Sequence, residues 1–507
     1  MESNHPLVIA VDSSTTATKA IVVDPTGHVL SEGRCELGMS TPGLDKYEQD
    51  PREWWSSTNT AVGRAVEQLG ANERARIVAL CSTIQRQSFA LVDADGEPVR
   101  PGLLWLDGRA AEQARRIGTH DLHRLTGFQP DVTPSVYKIA WLNEHEPENV
   151  SRAARVTGVH GYLAHAMTGR WVDSAAAADS LGLFDMARLD FDDSVLAMVG
   201  LRRDQLPQLV DPGSSMGTIR RDVTRAWGLE QDVELIASCG DGQAAGLGCG
   251  AIGPDEAYLN MGTALVAGVH SATYEVGDVY RTDAAGIPGH YVLEIVQNSG
   301  SYLAGWFRTE LGNPALKGAP DPALEEAAAN VPAGVGGPMV LPYWNAVQSP
   351  YWNPVAKGAI VGLGGAHGRP EIYRSILEGL SIEMARNLRG LQNDTGTPLT
   401  SVRVMGGGQR SPLWRQVMTD CVGLPLTACE TEEVSAMGAA VLAMASTGVV
   451  GDIPATARAM AKLGDTSEPD AARVELYREL AEVQGLLYPA LEHAFEAHSQ
   501  FLLRHQR

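Results

Sequence analysis

Two stretches of the chain, far apart in sequence, follow the same plan of an apolar strand, a short turn of small residues and a second apolar strand. In the first, residues 7–11 are apolar and β-branched, small hydroxyl residues follow, and residues 20–23 resume the strand pattern. In the second, residues 258–269 carry a Gly-Thr turn in the middle of an apolar run. A recurring hairpin is typical of an internal repeat, so the sequence predicts two similar lobes.

The length of the chain also favours two domains. A single hydrophobic core rarely organises 507 residues, and two lobes leave room for a cleft between them. The first lobe is predicted to contain both helices and strands, because residues 54–69 have a helical period and residues 77–82 have the apolar sequence of a buried strand. The sequence therefore predicts the α/β class.

Three segments are predicted from the changes in composition along the chain. They are a first lobe at 1–252, a second lobe at 253–455 and a helical tail at 456–507 that packs on the second lobe. The run of small residues at 240–253 is interpreted as a crossing between the lobes, and Pro489 is expected to kink the tail.

Charge and cysteine content exclude several classes of function. A formal charge of −21 leaves no broad positive surface for nucleic acid or an anionic membrane. The apolar run near the N-terminus is too short for a signal peptide, and no run has the length of a membrane span. The six cysteines are sparse and lack CxxC spacing. A cytoplasmic protein without nucleic-acid or membrane partners is therefore expected.

The turn of the first hairpin offers a cradle for phosphate groups. The chain has no GxxxxGK[ST] motif, so a P-loop is not expected. Backbone N–H groups, hydroxyls and an ammonium group are instead grouped at Ser13, Ser14, Thr15, Thr16 and Lys19. Asp12, at the end of the strand, is predicted to hold Mg²⁺ through water. An ordinary Ser/Thr-rich turn is the alternative. The matching turn at Gly262 and Thr263 favours the functional interpretation.

A strand, three glycines and a helix start follow one another at residues 402–417. Ser411 suits the N-cap and Pro412 the first helical position. Glycines without a side chain, such as Gly407 and Gly408, allow a flat ligand to lie against the backbone. A tight strand-to-helix turn is the alternative, although one glycine would be enough for it.

The phosphate hairpin, a central Ser-Cys-Gly-Asp241-Gly-Gln tract and the triple glycine occur in the order found in the FGGY family of carbohydrate kinases. The chain resembles this family from about residue 7 to residue 450. Other motifs that carry the resemblance are Tyr47-Glu-Gln-Asp-Pro51, Trp105-Leu-Asp107-Gly-Arg109, Ser135-Val-Tyr-Lys138-Ile-Ala-Trp141, and a C-terminal signature from Gly358-Ala-Ile-Val-Gly362 to Ser375-Ile-Leu-Glu378. Thr133 departs from the N-terminal signature, where the family usually has an aromatic residue, glycine or serine.

The resemblance implies two actin-like ATPase (ribonuclease H-like) lobes around a central cleft, with sugar bound mainly by the first lobe and ATP by the second. It places the family's catalytic base on Asp241, which would accept the proton of the attacking hydroxyl. Taken alone, an aspartate among glycines is more often a turn or a helix cap. The next residue, Gly242, departs from the Asn or Gln that usually touches the sugar.

The resemblance also implies the other site residues. Lys19, Gly262, Thr263, Gly407 and Gly408 would surround the nucleotide, together with Ser14, which stands where glycine is common. Arg86 and Gln87, in the loop after the buried strand, would contact the sugar; a surface loop is the alternative reading of that segment. Asp107 would lie in the sugar site or support it in an ion pair with Arg109.

ATP-dependent phosphorylation of a ketopentose such as xylulose, with ATP and Mg²⁺, is the function that the resemblance favours. A kinase for another pentulose, a tetrulose or a polyol is the first alternative, because Arg86 and Gln87 match neither the glycerol kinase nor the xylulose kinase pattern. A non-catalytic actin-like nucleotide-binding protein and a sugar-sensing regulator are the others. A homodimer is also expected from the family.

Overall fold

The computed structural model describes residues 5–505, which form two α/β lobes, each with one large central sheet. This architecture confirms the predicted fold class and the two actin-like lobes. Across the same residues, no helix combines the length and the apolar character that are needed to cross a membrane.

The strands of the first lobe are β1 (Leu7–Ser13), β2 (Ala17–Val23), β3 (Val29–Glu36), β4 (Ser40–Gly43), β5 (Lys46–Gln49), β6 (Ile77–Ile84), β7 (Phe89–Val92), β8 (Gly102–Leu103), β9 (Arg155–Gly158), β10 (Val172–Ser174), β11 (Phe184–Asp185), β12 (Asp190–Phe191), β13 (Gln208–Val210), β14 (Ser215–Thr218) and β15 (Glu234–Ile236). Those of the second lobe are β16 (Glu256–Met261), β17 (Leu265–Ser271), β18 (Arg281–Ala284), β19 (Tyr291–Gln297), β20 (Met339–Leu341), β21 (Ala359–Val361), β22 (Ser401–Met405), β23 (Leu426–Cys429) and β24 (Leu463–Ser467).

The two central sheets share one core topology. Their strand orders are β14-β15-β6-β1-β2-β3 and β18-β19-β17-β16-β22-β23-β24. In each sheet an antiparallel meander, β1-β2-β3 or β16-β17-β19, is continued by two parallel strands, β6 and β15 or β22 and β23. An antiparallel strand, β14 or β24, then completes the edge. The internal repeat predicted from the two hairpins is therefore confirmed.

The helices of the first lobe are α1 (Pro51–Glu67), α2 (Ala71–Arg74), α3 (Ala111–Ile117), α4 (His120–Thr126), α5 (Ser135–His145), α6 (Pro147–Arg152), α7 (Val159–Thr168), α8 (Ala175–Ala178), α9 (Asp193–Met198), α10 (Arg221–Ala226) and α11 (Asp241–Gly248). Those of the second lobe are α12 (Ser301–Glu310), α13 (Pro322–Ala329), α14 (Arg369–Thr395), α15 (Pro412–Val422), α16 (Val434–Ser446), α17 (Ile453–Met460), α18 (Ala471–Gly485) and α19 (Leu487–His505).

Strand β1 is buried on both faces, which explains its continuous apolar sequence. Side chains alternate between the faces of a strand, so Leu7, Ile9 and Val11 pack against helix α1. Val8 and Ala10 point the other way, into a core that also contains helix α16 of the second lobe. The first central sheet is thus covered on one face by a helix from the other lobe.

Helices α11 and α16 pack closely where the lobes meet, and glycines allow their backbones to approach. A Cβ atom on Gly248 would lie 2.0 Å from the carbonyl oxygen of Val434, and one on Gly438 would lie 1.9 Å from the carbonyl oxygen of Ala244. The small-residue run at 240–253 therefore forms this helix contact, and α11 carries Asp241 at its first position. The contact fixes that residue relative to both lobes.

We expect Gly438→Ala to lower the free energy of unfolding by about 1–3 kcal/mol, because the new methyl group would meet backbone atoms that cannot rotate away. Gly305→Ala in α12 is the matched control, since its Cβ would meet only the flexible end of Arg308 at 3.8 Å. That change should be neutral or stabilising by about 0.5–1 kcal/mol. Urea unfolding followed by tryptophan fluorescence measures both. Equal stability of the two variants would contradict the close packing of α11 on α16.

The C-terminal segment 456–507 is not wholly helical, because β24 interrupts it and pairs with β23 at the edge of the second central sheet. Tyr477 of α18 packs against α14 and α15, and Tyr488 of α19 packs against Tyr343. The chain does not kink at Pro489 as predicted, because one helix ends and another begins just before it. Helix α18 ends at Gly485, and Pro489 lies in the first turn of α19, where a backbone N–H would have no partner within the helix.

Candidate active site

A small cavity of about 190 Å³ lies between the lobes and is called the interlobe cavity here. Its first-lobe lining consists of Thr15, Gln85, Arg86, Gln87, Trp105, Thr133 and Asp241. Its second-lobe lining consists of Ala264, Val266, Arg281, Val296, Asn298 and Gln348. The volume is below the ~300–1,000 Å³ that drug-sized ligands need, and the lining is rich in amide and hydroxyl groups. The cavity suits a small polyhydroxy compound.

A larger cavity of about 440 Å³, called the second-lobe cavity, is formed entirely by the second lobe. It is lined by Gly406, Gly407, Gln409, Arg410, Arg415, Ala428, Cys429, Glu430, Thr431, Glu432 and Glu433. These residues come from the turn after β22, from helix α15, from the end of β23 and from the approach to α16.

Asp241 is the first residue of α11 and borders the interlobe cavity. Its Oδ1 atom accepts hydrogen bonds from the backbone N–H of Gly242 at 2.9 Å and from Nε of Arg86 at 3.1 Å. Its side chain is 41% exposed. One carboxylate oxygen is thus fixed by two donors, and Oδ2 takes no hydrogen bond from the described residues.

Arg86 is buried and joins the two lobes. Besides Asp241, its guanidinium group contacts Asp283 of β18 at 3.2 Å and both carboxylate oxygens of Glu294 of β19 at 2.9 Å. Burial opposes the charge, but the carboxylates of Glu294, Asp283 and Asp241 together raise the pKa of Arg86 well above its usual value. The arginine is therefore charged and rigidly oriented over Asp241.

Gln87 presents a buried amide to the interlobe cavity. Its Nε2 atom has no hydrogen-bond partner within residues 5–505, and its backbone has the left-handed φ of 61°. Such a backbone is uncommon for a residue other than glycine and is frequent at binding sites. An amide held in this way is a ready donor for a ligand hydroxyl.

Thr15 and Trp105 meet at the same cavity. The indole Nε1 of Trp105 donates to Oγ1 of Thr15 at 2.9 Å, and Oγ1 in turn donates to Gln85 at 3.2 Å. Thr15, predicted at the phosphates, thus borders the interlobe cavity from the turn of the first hairpin.

Lys138 supports the walls of this cavity from behind. Its fully buried ammonium group donates to the carbonyl oxygens of Val132 at 3.0 Å, Trp105 at 3.5 Å and Thr133. Burial lowers the pKa of Lys138 to about 7, against the opposing effect of nearby carboxylates. This lysine of the N-terminal signature therefore ties together two segments that line the site.

Asp107 does not line the interlobe cavity. It is fully buried and accepts hydrogen bonds from the backbone N–H of Tyr47 at 2.7 Å and from Nε of Arg109 at 2.7 Å. Arg109 also contacts Glu48 at 2.7 Å and stacks over Trp141. Of the two roles open for Asp107, the geometry favours the supporting ion pair.

Charged residues of the first hairpin lie beside the second-lobe cavity. Nζ of Lys19 contacts both carboxylate oxygens of Glu433 at 2.7 Å, and Glu433 borders the second-lobe cavity. Asp12 lies opposite Lys19 in the β1-β2 ladder. Burial raises the pKa of Asp12 to about 7, with further contributions from Asp241 and Glu433, against the effect of Lys19. Asp12 and Lys19 of the first hairpin therefore lie beside Glu433 of the second lobe.

The two predicted phosphate turns have clear structural roles. The hydroxyl of Ser14 donates to the carbonyl oxygen of Ala17 at 2.7 Å and closes the first turn, while Thr16 is exposed. In the second hairpin, the carbonyl oxygens of Gly262 and Thr263 accept hydrogen bonds from the first amides of α12. Serine at position 14 is thus accommodated by a local hydrogen bond.

The three glycines after β22 are not equivalent. A Cβ atom on Gly406 would lie 2.4 Å from Oδ1 of Asn260, and one on Gly408 would lie 2.6 Å from the ring of Trp414. Gly407 has open space around it and borders the second-lobe cavity, whereas Gly408 is buried and does not. Ser411 caps α15 by accepting from the N–H of Trp414, as predicted, with Pro412 first in the helix.

Several site residues escaped the sequence analysis. Three residues of the second lobe contact side chains of the first lobe: Glu433, Asp283 and Glu294. A fourth, Arg281, lines the interlobe cavity from the second lobe. The acidic run before α16 was the only signal for Glu433. No local pattern marks the other three, because β18 and β19 are ordinary strand sequences.

Comparisons with known proteins agree with this geometry. Residues 7–248 match the profile of the FGGY family of carbohydrate kinases, N-terminal domain, and residues 257–447 match that of its C-terminal domain. The chain is 30% identical over 497 residues to the xylulose kinase of Escherichia coli (strain K12), covering 96% of this chain and 99% of that protein.

Two further similarities extend the comparison. The gluconokinase of Bacillus subtilis (strain 168) is 25% identical over 460 residues, which is 87% of this chain and 88% of that protein. The crystal structure of a xylulose kinase from Brucella ovis superposes with a TM-score of 0.89 at 25% identity, covering 96% of this chain and all of the other. The similarity thus spans both lobes and the tail.

Proposed function

The chain belongs to the FGGY family of carbohydrate kinases, and we propose that it phosphorylates a ketopentose such as xylulose, with ATP as the phosphoryl donor and Asp241 as the general base. The acceptor would occupy the interlobe cavity, with the nucleoside of ATP in the second-lobe cavity. Another pentulose, a tetrulose or a polyol is the alternative acceptor.

The observation that carries this proposal is the position of Asp241, which lines the interlobe cavity and contacts the start of α16 beside the second-lobe cavity. Its side chain borders the interlobe cavity, and its carbonyl oxygen accepts a hydrogen bond at 3.1 Å from Oγ of Ser435, two positions after Glu433 of the second-lobe cavity. Phosphoryl transfer needs an acceptor oxygen and a γ-phosphate in line, with a carboxylate beside the acceptor hydroxyl. A nucleotide-driven binding protein would need no carboxylate at this junction.

The reaction follows from this arrangement. The acceptor hydroxyl gives its proton to Oδ2 of Asp241 as its oxygen forms a bond to the γ-phosphorus, and the bond from that phosphorus to the β,γ-bridging oxygen breaks to release ADP. Arg86 and the N–H of Gly242 hold Oδ1, and Oδ2, which takes no hydrogen bond from the described residues, is left to accept the proton. Closure of the lobes would exclude water and limit wasteful hydrolysis of ATP.

The residues at the junction fit a magnesium ion. Oδ1 of Asp12 is buried without a hydrogen-bond partner in the described part of the chain, and carboxylate oxygen is the ligand type that Mg²⁺ prefers. Asp12 would hold the ion through water, with phosphate oxygens of ATP as its other ligands. When bound, Mg²⁺ supplies charge that neutralises the phosphates during transfer.

We expect Asp12→Asn to raise the Mg²⁺ concentration for half-maximal activity about 10- to 100-fold, because a neutral amide orients a hydrated cation less well. ADP release at fixed ATP and varied free Mg²⁺ measures this. Asp24→Asn, in the exposed turn after β2, is the control. Unchanged Mg²⁺ dependence in Asp12→Asn would remove this residue from the metal site.

Acceptor-dependent ADP release tests the function as a whole. Purified protein with MgATP would be assayed against pentuloses, tetruloses, hexuloses and polyols, and we expect a pentulose to give the highest kcat/KM. A preference for another uncharged acceptor would support the alternative. No stimulation by any member would contradict a kinase acting in the interlobe cavity.

We also place the reaction in the cytoplasm. All six cysteines are free, and five of them are buried: Cys81, Cys239, Cys249, Cys421 and Cys429. Free buried thiols are typical of a reducing compartment, where ATP is also available.

A further inference from the structure

A group of charged residues, buried except for Asp241, forms one side of the interlobe cavity. It contains Arg86 and Arg281, which line the cavity, and the carboxylates of Asp241, Asp283 and Glu294. Glu294 and Asp283 are fully buried behind the two arginines. We call these five residues the charge cluster.

Glu294 is the centre of the charge cluster. One of its oxygens accepts from Nη2 of Arg86 at 2.9 Å, and the other accepts from Nε of Arg281 at 2.8 Å. Burial opposes its ionisation, but Arg281 and Arg86 together lower the pKa of Glu294. A single carboxylate therefore engages both guanidinium groups that face the cavity.

The charge cluster contains no excess of positive charge. Two guanidinium groups face two carboxylates, Asp241 and Glu294, and Asp283 is a third acid at 3.2 Å from Arg86 and 3.6 Å from Arg281. Burial raises the pKa of Asp283, but the balance is neutral or negative whichever form it takes. The other side chains that line the cavity in the described part of the chain are uncharged.

Gly242 makes room for this arrangement. A Cβ atom at this position would lie 2.3 Å from Oε1 of Glu294 and 2.7 Å from Nη2 of Arg86. Any larger residue would displace the pair. The glycine next to the catalytic aspartate thus has a defined consequence: it lets a carboxylate from β19 approach the acceptor site.

We propose that this pocket is selective for uncharged polyhydroxy acceptors and rejects aldonates, with Glu294 as the positioning residue that sets this preference through Arg86 and Arg281. The inference rests on the proposed function and names the acceptor class. An aldonate carboxylate entering the cavity would lose its water and meet no guanidinium that lacks a partner. Like charges brought together in a desolvated site are strongly unfavourable, so a discrimination on the order of 100-fold is expected.

Matched pairs of acceptors test this preference in the unmodified protein. The two members of each pair differ in one terminal group: glycerol and glycerate, xylitol and xylonate, and glucitol and gluconate. Xylulose is included as the reference. Acceptor-dependent ADP release gives kcat/KM for each compound, and quenching of tryptophan fluorescence, to which Trp105 in the cavity contributes, gives binding without turnover. We expect every acid to bind and react at least about 100-fold less well than its partner or xylulose.

The two readouts separate the failure of this inference from that of the proposed function. An acid that binds as well as its uncharged partner would overturn the acceptor preference and leave the kinase assignment intact. If no compound changes either fluorescence or ADP release, the proposed function fails first.

Glu294→Gln tests the positioning role directly. It removes one negative charge and keeps the shape, so the ratio of kcat/KM for acid over uncharged acceptor should rise at least about 10-fold, whereas Glu294→Asp should keep the ratio of the unmodified protein. Loss of folded protein alone cannot change this ratio. Glu383→Gln, which removes the charge of a buried carboxylate paired with Arg386 in α14, is the matched control and should leave the ratio unchanged. An unchanged ratio in folded Glu294→Gln would overturn the role of Glu294.

Discussion

Replacing Asp241 by asparagine is expected to lower kcat for acceptor-dependent ADP release by about 10²- to 10⁴-fold, the range that a positioned general base contributes. The amide keeps an oxygen for the N–H of Gly242 and for Arg86, so the local structure should persist. What is lost is the ability of Oδ2 to take a proton. Because the change acts on the chemical step, the KM values for acceptor and ATP should change much less than kcat.

Steady-state kinetics with the best acceptor of the panel, together with nucleotide binding by calorimetry, would measure both effects. Asp232→Asn is a suitable control, because this carboxylate is exposed and, among residues 5–505, is paired with Arg221 alone. If Asp241→Asn turned over at the rate of the control, the base would have to be another residue. Weakened nucleotide binding with unchanged kcat would instead make Asp241 a ligand-binding residue.

Local sequence signals predicted the parts of the fold that depend on neighbouring residues. The hairpins were visible because strand and turn residues alternate within a few positions, and the cap at Ser411 because it needs only the next three residues. Helix α1 begins one turn earlier than its apolar period suggested, because Asp50 caps it and Pro51 is suited to the first position.

The contacts between lobes could not be read in this way. Lys19 and Glu433 are 414 positions apart, and Arg86 and Glu294 are 208 apart, yet each pair is in direct contact. Their partners depend on how α16 covers the first sheet and how β18 and β19 face the cleft. The different roles of two adjacent glycines were also not predictable from the sequence. Gly407 borders the second-lobe cavity, whereas Gly408 is packed against Trp414 and Met261.

Arg86 both holds Asp241 and pairs with carboxylates of the second lobe, so its removal should lower stability as well as activity. Arg86→Met would leave Asp283 and Glu294 with Arg281 as their one remaining ion-pair partner in the described part of the chain. Breaking a buried ion pair from one side costs about 3–5 kcal/mol, so the free energy of unfolding should fall by that amount. Acceptor turnover should also be lost in the fraction that remains folded, because Oδ1 of Asp241 loses one of its two donors.

A buried arginine that lines neither cavity separates the effect on stability from the effect on turnover. Arg374→Met breaks the pair with Glu378 inside α14 and should destabilise the protein similarly, but its folded fraction should keep the normal acceptor KM and kcat. Arg86→Lys should not rescue activity, since an ammonium group cannot engage Asp241, Asp283 and Glu294 with the planar geometry of a guanidinium. Urea unfolding and acceptor-dependent ADP release on the same preparations provide the comparison. Normal acceptor kinetics in folded Arg86→Met would mean that the cross-lobe pairs stabilise the fold and have no part in orienting the base.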